Sequence, residues 1–261
     1  MASAAHRPKA LLYLMIVLAT AWLVPGGAAY GESAPFDPIP GAEKAYAKAK
    51  TYYSRHPADL RAAWEFGRTT FELADLVPGN ARRAELAQEG IDACKRALEQ
   101  APGSAQLHYY LGLNLGELAR TKSLGALRLV DQMEREFAKS IELDPSFDYA
   151  GAERSLGMLY RDAPSFASIG SKSKARIHLQ RALELAPRYP ENRLDVMESE
   201  LKWGDRKAAR REIKLLEEGW NAARSEFAGP DWVASWADWT ARLEKARKAL
   251  DEPARLETPR H

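Results

Sequence analysis

Four segments of the chain end in the same way, and this repetition limits the possible folds more than any other feature. The segments are KRALEQAP (95–102), AKSIELDP (138–145), QRALELAP (180–187) and, more loosely, TYYSRHP (51–57). Each is an amphipathic helical turn that stops at a proline, which cannot continue a helix. Eight residues before the four prolines lie Cys94, Phe137, Leu179 and Ala49. The pattern predicts a series of helices that each bury one face.

A glycine recurs at a similar distance after these prolines. Gly67 and Gly112 follow their prolines by ten residues and Gly157 by twelve, while Met197 takes this place after the last of the four prolines. A glycine inside a helix costs about 1 kcal/mol relative to alanine, so its repetition needs a structural reason. We expect a neighbouring helix to pack closely against each of these glycines.

The segments LHYYLGLNLGELA, LGMLYRDAP and ARIHLQRALELAP resemble the two helices of tetratricopeptide repeats (TPRs). The resemblance covers residues 42–218 as about four and a half repeats. It implies an all-α, TPR-like solenoid of antiparallel helix pairs, a fold that usually binds other proteins. The spacing inside each pair is longer than in a standard repeat: it is 23, 21 and 18 residues for Gly67–Gly90, Gly112–Met133 and Gly157–Ala175. We therefore expect elongated repeats, with the extra residues on one edge of the solenoid.

A second resemblance concerns the stretch DPSFDYAGAERSLGMLYRDAP (144–164) and the elongated repeats. Together they resemble the T-component proteins of TRAP transporters, which are periplasmic and work beside a solute-binding protein. This resemblance implies a transport accessory that holds a small carboxylate (an organic acid) or an apolar ligand. The lipid anchor usual in that family is missing, because no cysteine directly follows the apolar run near the N-terminus.

Residues 1–29 have the order of a secretory signal peptide. Arg7 and Lys9 precede an apolar run of 15 residues, Ala10 to Val24, and small residues follow it. The run is shorter than the roughly 18–20 residues that span a bilayer. We therefore expect cleavage after Ala29 or Gly31, no stable membrane insertion afterwards, and export to the periplasm or outside the cell. An uncleaved anchor is the alternative.

Three further segments flank the repeats. Residues 30–41 contain three prolines and are predicted to form an extended lead-in, and residues 252–261 to form a disordered tail. Residues 219–251 are predicted to be a C-terminal capping helix region. Its apolar stripe consists of Trp232, Trp236, Trp239, Leu243, Ala246 and Leu250. We expect this stripe to cover the open end of the last repeat. A dimer or partner surface is the alternative, so the oligomeric state stays open.

Charge and cysteine content argue against several classes of protein. Without residues 1–29 the chain carries 36 basic and 36 acidic residues, whereas proteins that hold nucleic acid usually carry a basic excess. Cys94 is the only cysteine, so it forms no internal disulfide, and its place on an apolar helix face predicts a buried side chain.

Motifs for chemistry are absent from the sequence. There is no phosphate-binding glycine loop, no His-Glu-x-x-His motif and no Gly-x-Ser-x-Gly motif. His108 is predicted to be packed or exposed, with a groove position as the alternative, and His178 to face solvent. We expect no enzyme activity, no cofactor and no metal; an enzyme of unrecognised type is the remaining alternative.

The most informative polar residues lie on the first helices of the repeats, which line the concave surface of a TPR stack. Counting from the repeated glycines places these candidate groove residues there: Arg61, Trp64, Arg68, Tyr109, Arg154, Met158, Arg161 and Glu198. Arginines and aromatic residues are enriched in binding hot spots, so we predict a groove that binds a protein partner. The alternative is that the arginines pair with local acids such as Glu65 and Glu153.

Overall fold

The computed structural model describes residues 37–122 and 125–251. The predicted signal peptide, most of the predicted lead-in and the predicted tail lie outside these ranges. Within them the chain forms ten α-helices, one 3-10 turn and no strand. The helices are α1 (Ile39–Arg55), α2 (Leu60–Leu76), α3 (Asn80–Leu98), α4 (Ala105–Arg120), α5 (Ala126–Leu143), α6 (Phe147–Asp162), α7 (Lys172–Leu185), α8 (Pro190–Lys202), α9 (Arg206–Glu226) and α10 (Val233–Asp251), with the 3-10 turn at Pro230–Trp232. The predicted all-α fold class is confirmed.

Polar side chains fix where several helices begin. The Asp59 carboxylate accepts hydrogen bonds from the first turn of α2, and the Ser104 hydroxyl does the same for α4. Helix α1 instead begins at Ile39 with Pro40 in its first turn, where proline needs no backbone donor. Residues 39–41, which the sequence placed in an extended lead-in, are therefore helical.

Consecutive helices pack in pairs, and the first helices of the pairs lie side by side. Helix α2 contacts both α3 and α4, and α4 contacts α5 and α6. The first two complete pairs span residues 60–98 and 105–143, which is longer than the helical part of a standard repeat of about 34 residues. The third pair carries its extra residues in the loop 163–171 between α6 and α7. The expectation of elongated repeats is therefore met.

The repeated glycines are sites of close helix packing, as predicted. A Cβ added at each of them would collide with a side chain of the second helix in the same pair. The distances would be 2.5 Å from Gly67 to Cys94 Sγ, 2.6 Å from Gly112 to Phe137 Cε1, and 2.7 Å from Gly157 to Leu179 Cγ. Cys94 is fully buried beneath Gly67, which confirms its predicted placement.

Two apolar clusters make up the core. The N-terminal cluster is formed by α1 to α7, and the C-terminal cluster by α8 to α10 with Tyr149 packed against it. Helix α10 buries Trp239, Leu243 and Ala246 of the predicted stripe against the C-terminal cluster. The stripe therefore packs onto α8 and α9, and α9 extends past residue 218, the end of the predicted repeats, to Glu226.

A left-handed turn lies at the start of α6, between the two clusters. Asp148, Tyr149 and Ala150 have φ angles of 55°, 55° and 62°, a conformation that costs roughly 1–2 kcal/mol per non-glycine residue. The turn holds the Tyr149 ring against the Tyr189 ring of the C-terminal cluster, with centroids 4.5 Å apart and an interplanar angle of 14°. Aromatic stacking and burial therefore offset the strain of this turn.

Candidate partner-binding groove

A groove of about 1030 Å³ opens between α1 and α2, at the N-terminal end of the described solenoid. Helix α1 contributes Ala45, Lys48, Ala49, Tyr52 and Arg55. Helix α2 contributes Arg61, Glu65 and Arg68 from a single face, because these positions are separated by four and three residues. The groove thus has a floor of small residues between two charged edges.

The charges of the groove are only partly compensated. Arg61 Nε donates to Glu65 Oε1 at 2.8 Å, and this bond raises the pKa of Arg61. Arg68 Nη1 donates to both carboxylate oxygens of Glu72 at 2.7 and 2.9 Å. Lys48 and Arg55 form no ion pair with a described residue. The lining therefore has four basic side chains and one carboxylate, which favours an acidic ligand.

Tyr52 is the aromatic side chain of this lining. It is 44% exposed, and its ring lies 4.6 Å from the His56 ring, centroid to centroid. The Tyr52 hydroxyl also donates to Asp59 Oδ2 at 3.4 Å. A partly ordered, exposed tyrosine provides apolar area at low entropic cost, as in binding hot spots.

The eight candidate residues do not form one surface. Arg61 and Arg68 lie in the groove between α1 and α2, and Trp64 is half-buried with its ring stacked on Tyr110 at 5.9 Å. Tyr109 and Met158 are buried in the core. Their placement on an open concave surface is corrected, because α4 and α6 are enclosed by neighbouring helices on almost all sides: every residue from 151 to 160 is buried.

Arg154 is also corrected from a groove residue to a core residue. Its side chain is 0% exposed, Nη1 donates to Asn192 Oδ1 at 2.9 Å, and Nε lies 3.6 Å from Asp195 Oδ2. Arg161 is nearly buried as well and forms two hydrogen bonds to Asp162, at 2.9 and 2.7 Å. The alternative that the arginines pair with acids therefore holds for all four: Arg61 pairs with Glu65, as the sequence indicated, and Arg68, Arg154 and Arg161 pair with other acids, namely Glu72, Asp195 and Asp162.

Glu198 belongs to a buried ionic cluster that joins α8 to α10. Arg242 of α10 donates to Glu198 at 2.8 and 2.9 Å and forms a short bond to Asp195. Burial raises the pKa of Glu191 to about 7 and also raises the pKa of Asp195. Sequence reasoning missed this cluster. The sequence feature that could have indicated this cluster is Arg242, a charged residue three positions after Trp239 in the apolar stripe of α10.

His108 and His178 each lie within hydrogen-bond distance of a carboxylate. His108 Nδ1 lies 2.6 Å from Glu136 Oε2, and His178 Nδ1 lies 2.6 Å from Glu153 Oε2. Burial lowers the pKa of His108, but the hydrogen bonds to Glu136 and to the Pro102 carbonyl and the charge of Glu136 together outweigh it, so this pKa is raised. His178 is half-buried rather than facing solvent as predicted. In the described ranges, no group of three or more His, Cys, Asp or Glu side chains is arranged to hold a metal ion.

Sequence comparison decides the family. The sequence model described as "RMD1-3: Regulator of microtubule dynamics protein 1-3" matches residues 40–223, which is more than half of the chain. The chain belongs to this family. No curated protein matches this member of the regulator of microtubule dynamics protein 1-3 family.

Solved structures show the fold of this family member. TTC0263, a thermophilic TPR protein from Thermus thermophilus, is 17% identical with a TM-score of 0.56, over 81% of this chain and 97% of that chain. MamA is 16% identical with a TM-score of 0.49, over 70% of this chain and 91% of that chain. The first likeness confirms a TPR-like solenoid. Neither the family match nor these structures support the resemblance to TRAP T-components.

Proposed function

We propose that the protein is a noncatalytic scaffold that binds a protein partner in the groove between α1 and α2. The observation that carries the proposal is the contrast between this open groove and the enclosed surfaces of α4 and α6. The TPR-like fold supports it, because such solenoids serve as scaffolds for protein interaction.

The composition of the groove is that of a protein interface rather than of a small-molecule site. Ala45 and Ala49 form an apolar floor, Tyr52 supplies an aromatic anchor, and Lys48, Arg55 and Arg61 form an exposed polar rim. Interfaces commonly combine an apolar centre with a polar rim. Because the groove is open to solvent, it gives no specific support to a transport accessory that encloses a small carboxylate or apolar ligand.

The test is capture of partners by the tagged full chain expressed in its native host. Replacing Tyr52→Ala together with Arg61→Glu removes the aromatic anchor and reverses one rim charge, so captured partner should fall at least about tenfold. The matched control is Ile177→Ala with Arg181→Glu, which changes one exposed apolar and one exposed basic residue on α7. Equal losses in both variants, or no loss in the groove variant, would refute the proposed site.

Export is part of the proposal. Residues 1–29 carry the pattern of a signal peptide, so intact-mass measurement of the protein from its host should show a chain that lacks residues 1–29 or 1–31. Recovery of the full-length chain in membranes would instead indicate an anchored protein. No helix in the described part of the chain has both the length and the apolar content to cross a bilayer.

The family description supports a second candidate function, the regulation of microtubule dynamics. The basic rim of the groove fits an acidic protein surface. Co-sedimentation with assembled microtubules tests this candidate, and the Lys48→Glu, Arg55→Glu variant should abolish any pelleting that depends on the groove. Microtubules assemble in the cytoplasm, so recovery of a cleaved, exported chain in the intact-mass measurement would exclude this function.

A further inference from the structure

The groove lies where a first helix is missing from the described part of the solenoid. In the next repeat, the corresponding face of α4 is covered by α2: Tyr110 stacks on Trp64, and Asn114 Nδ2 donates to the Gly67 carbonyl at 2.7 Å. Tyr110 lies two residues before Gly112, and Asn114 lies two residues after it.

The same two positions around Gly67 are Glu65 and Thr69, and both line the open groove. Thr69 is itself buried, but no first helix among the described residues packs on this face of α2. In α4 this face packs against the first helix of the preceding pair. In α2 the equivalent face is turned toward the groove.

Helix α1 gives independent support, because it has the pattern of a second helix and residues 37–122 and 125–251 contain no first helix to pair with it. Ala49 lies eight residues before Pro57, as Cys94 lies eight residues before Pro102. In the complete pair, Cys94 packs beneath a glycine of its first helix, α2. Ala49 instead lines the groove and is half-buried.

The same difference between α3 and α1 is found twelve residues before the proline that follows each helix. Gly90 of α3 is buried against Thr70 of α2, whereas the equivalent Ala45 of α1 faces the groove. Tyr46 and Tyr53 meanwhile pack α1 firmly onto Phe66 of α2. Helix α1 therefore holds its place as a second helix while its stripe of small residues is left open.

The charge of the groove limits what can fill this place. Lys48 and Arg55 have no ion-pair partner among the described residues, and Arg68 Nε is buried without a hydrogen-bond acceptor. The chain's own apolar run, Ala10 to Val24, contains no carboxylate and leaves these charges uncompensated. Helices with acidic residues on one face compensate them.

We propose that the groove is filled by one amphipathic helix of a partner protein, which takes the place of the first helix that the described residues do not provide. This inference rests on the proposed scaffold function and adds the form and chemistry of the ligand. The partner helix presents small residues to Ala45 and Ala49, because the equivalent positions of α3, Gly90 and Cys94, lie in close contact with α2. It presents carboxylates to Lys48 and Arg55 at a spacing of three, four or seven residues.

Photo-crosslinking in the native host tests the form of the ligand. The full chain carries benzoylphenylalanine in place of Tyr52 or, separately, Arg61, and the attached partner residues are identified by mass spectrometry. The expected result is attachment from both positions to one partner segment with acids on one helical face. The same probe at Ile177, which is exposed on α7, should not attach to that segment.

A charge-reversal pair tests the chemistry. Lys48→Glu with Arg55→Glu should lower the crosslinking yield from Tyr52 at least about tenfold, because both rim charges then repel the acidic face. The matched control is Lys95→Glu with Arg96→Glu, two exposed basic residues in the last turns of α3. This control should keep the yield within about twofold, and circular dichroism should show equal helix content in all variants.

The outcomes separate this inference from the function on which it rests. Attachment to an extended partner segment or to one without acids overturns the helix proposal but leaves groove binding intact. Attachment to residues 10–24 of the chain or to a second copy overturns it as well. If no crosslink forms from Tyr52 or Arg61 while the groove variants still capture the partner, both the inference and the proposed function fail.

Discussion

The two ends of the solenoid are held together by different forces. In the N-terminal cluster, apolar helices approach each other at glycines such as Gly67 and Gly112. The C-terminal cluster meets α6 across buried charges, where Arg154 and Arg242 face Asp195 of α8. Loss of an apolar contact costs packing, whereas loss of one partner of a buried ion pair leaves an uncompensated charge. The C-terminal end should therefore respond more strongly to single substitutions.

The largest effect is expected at Arg154. Arg154→Ala removes a fully buried guanidinium and leaves Asp195 with less compensation, so the free energy of unfolding should fall by about 3–5 kcal/mol. Chemical denaturation measures this change. The control Arg181→Ala, in an exposed pair with Glu184, should cost at most about 1 kcal/mol. Similar losses of stability in both variants would show that the buried and the exposed arginine contribute equally to the free energy of unfolding.

The N-terminal cluster is tested at Gly112. Gly112→Leu places side-chain atoms in the space of the Phe137 ring and should lower the free energy of unfolding by about 1–3 kcal/mol. Gly219 of α9 has no atom within 4 Å of an added Cβ, so Gly219→Ala should raise stability by about 0.5–1 kcal/mol. A melting temperature unchanged by Gly112→Leu contradicts the close approach of α4 and α5.

A smaller, pH-dependent effect is expected from Glu191. Burial raises the pKa of Glu191 from its ordinary 4.5 to about 7, so the folded state binds its proton more tightly than the unfolded state. The free energy of unfolding should therefore fall as pH rises from about 4.5 to 7, by roughly 1–2 kcal/mol from this group.

Urea unfolding at pH 5 and pH 7 measures the contribution of Glu191. Glu191→Gln keeps an acceptor for the Tyr189 hydroxyl, which donates to Glu191 Oε2 at 3.0 Å, but cannot ionise. The difference in stability between the two pH values should shrink in this variant. An unchanged difference would show that Glu191 does not titrate in this range.

The smallest effect on stability is expected in the groove. Arg61 is fully exposed at its head group and pairs only with Glu65 four residues later, so Arg61→Ala should leave the melting temperature within error. Partner capture should nevertheless weaken. The opposite result, early unfolding with intact capture, would make Arg61 a structural residue like Arg154.

The fold was predictable because its signals are local. Helix-stopping prolines and repeated glycines such as Gly67 identify helix pairs without any knowledge of the final curvature. The site was only partly predictable. Helical periodicity placed Arg61 and Arg154 on the same kind of face, but it carries no information about what covers that face. At Arg154 helix α8 does so, and the Arg154–Asn192 hydrogen bond connects residues 38 positions apart in the chain.

Cys94 makes the opening of the first complete repeat measurable without any substitution. The thiol is fully enclosed between α2 and α3, and burial raises its pKa to about 12. Alkylating reagents attack the thiolate, so the reaction requires these helices to separate. Because the chain has one cysteine, the alkylation rate in native buffer reports this opening alone. Labelling kinetics therefore follow the N-terminal cluster while the charged cluster at the other end is mutated.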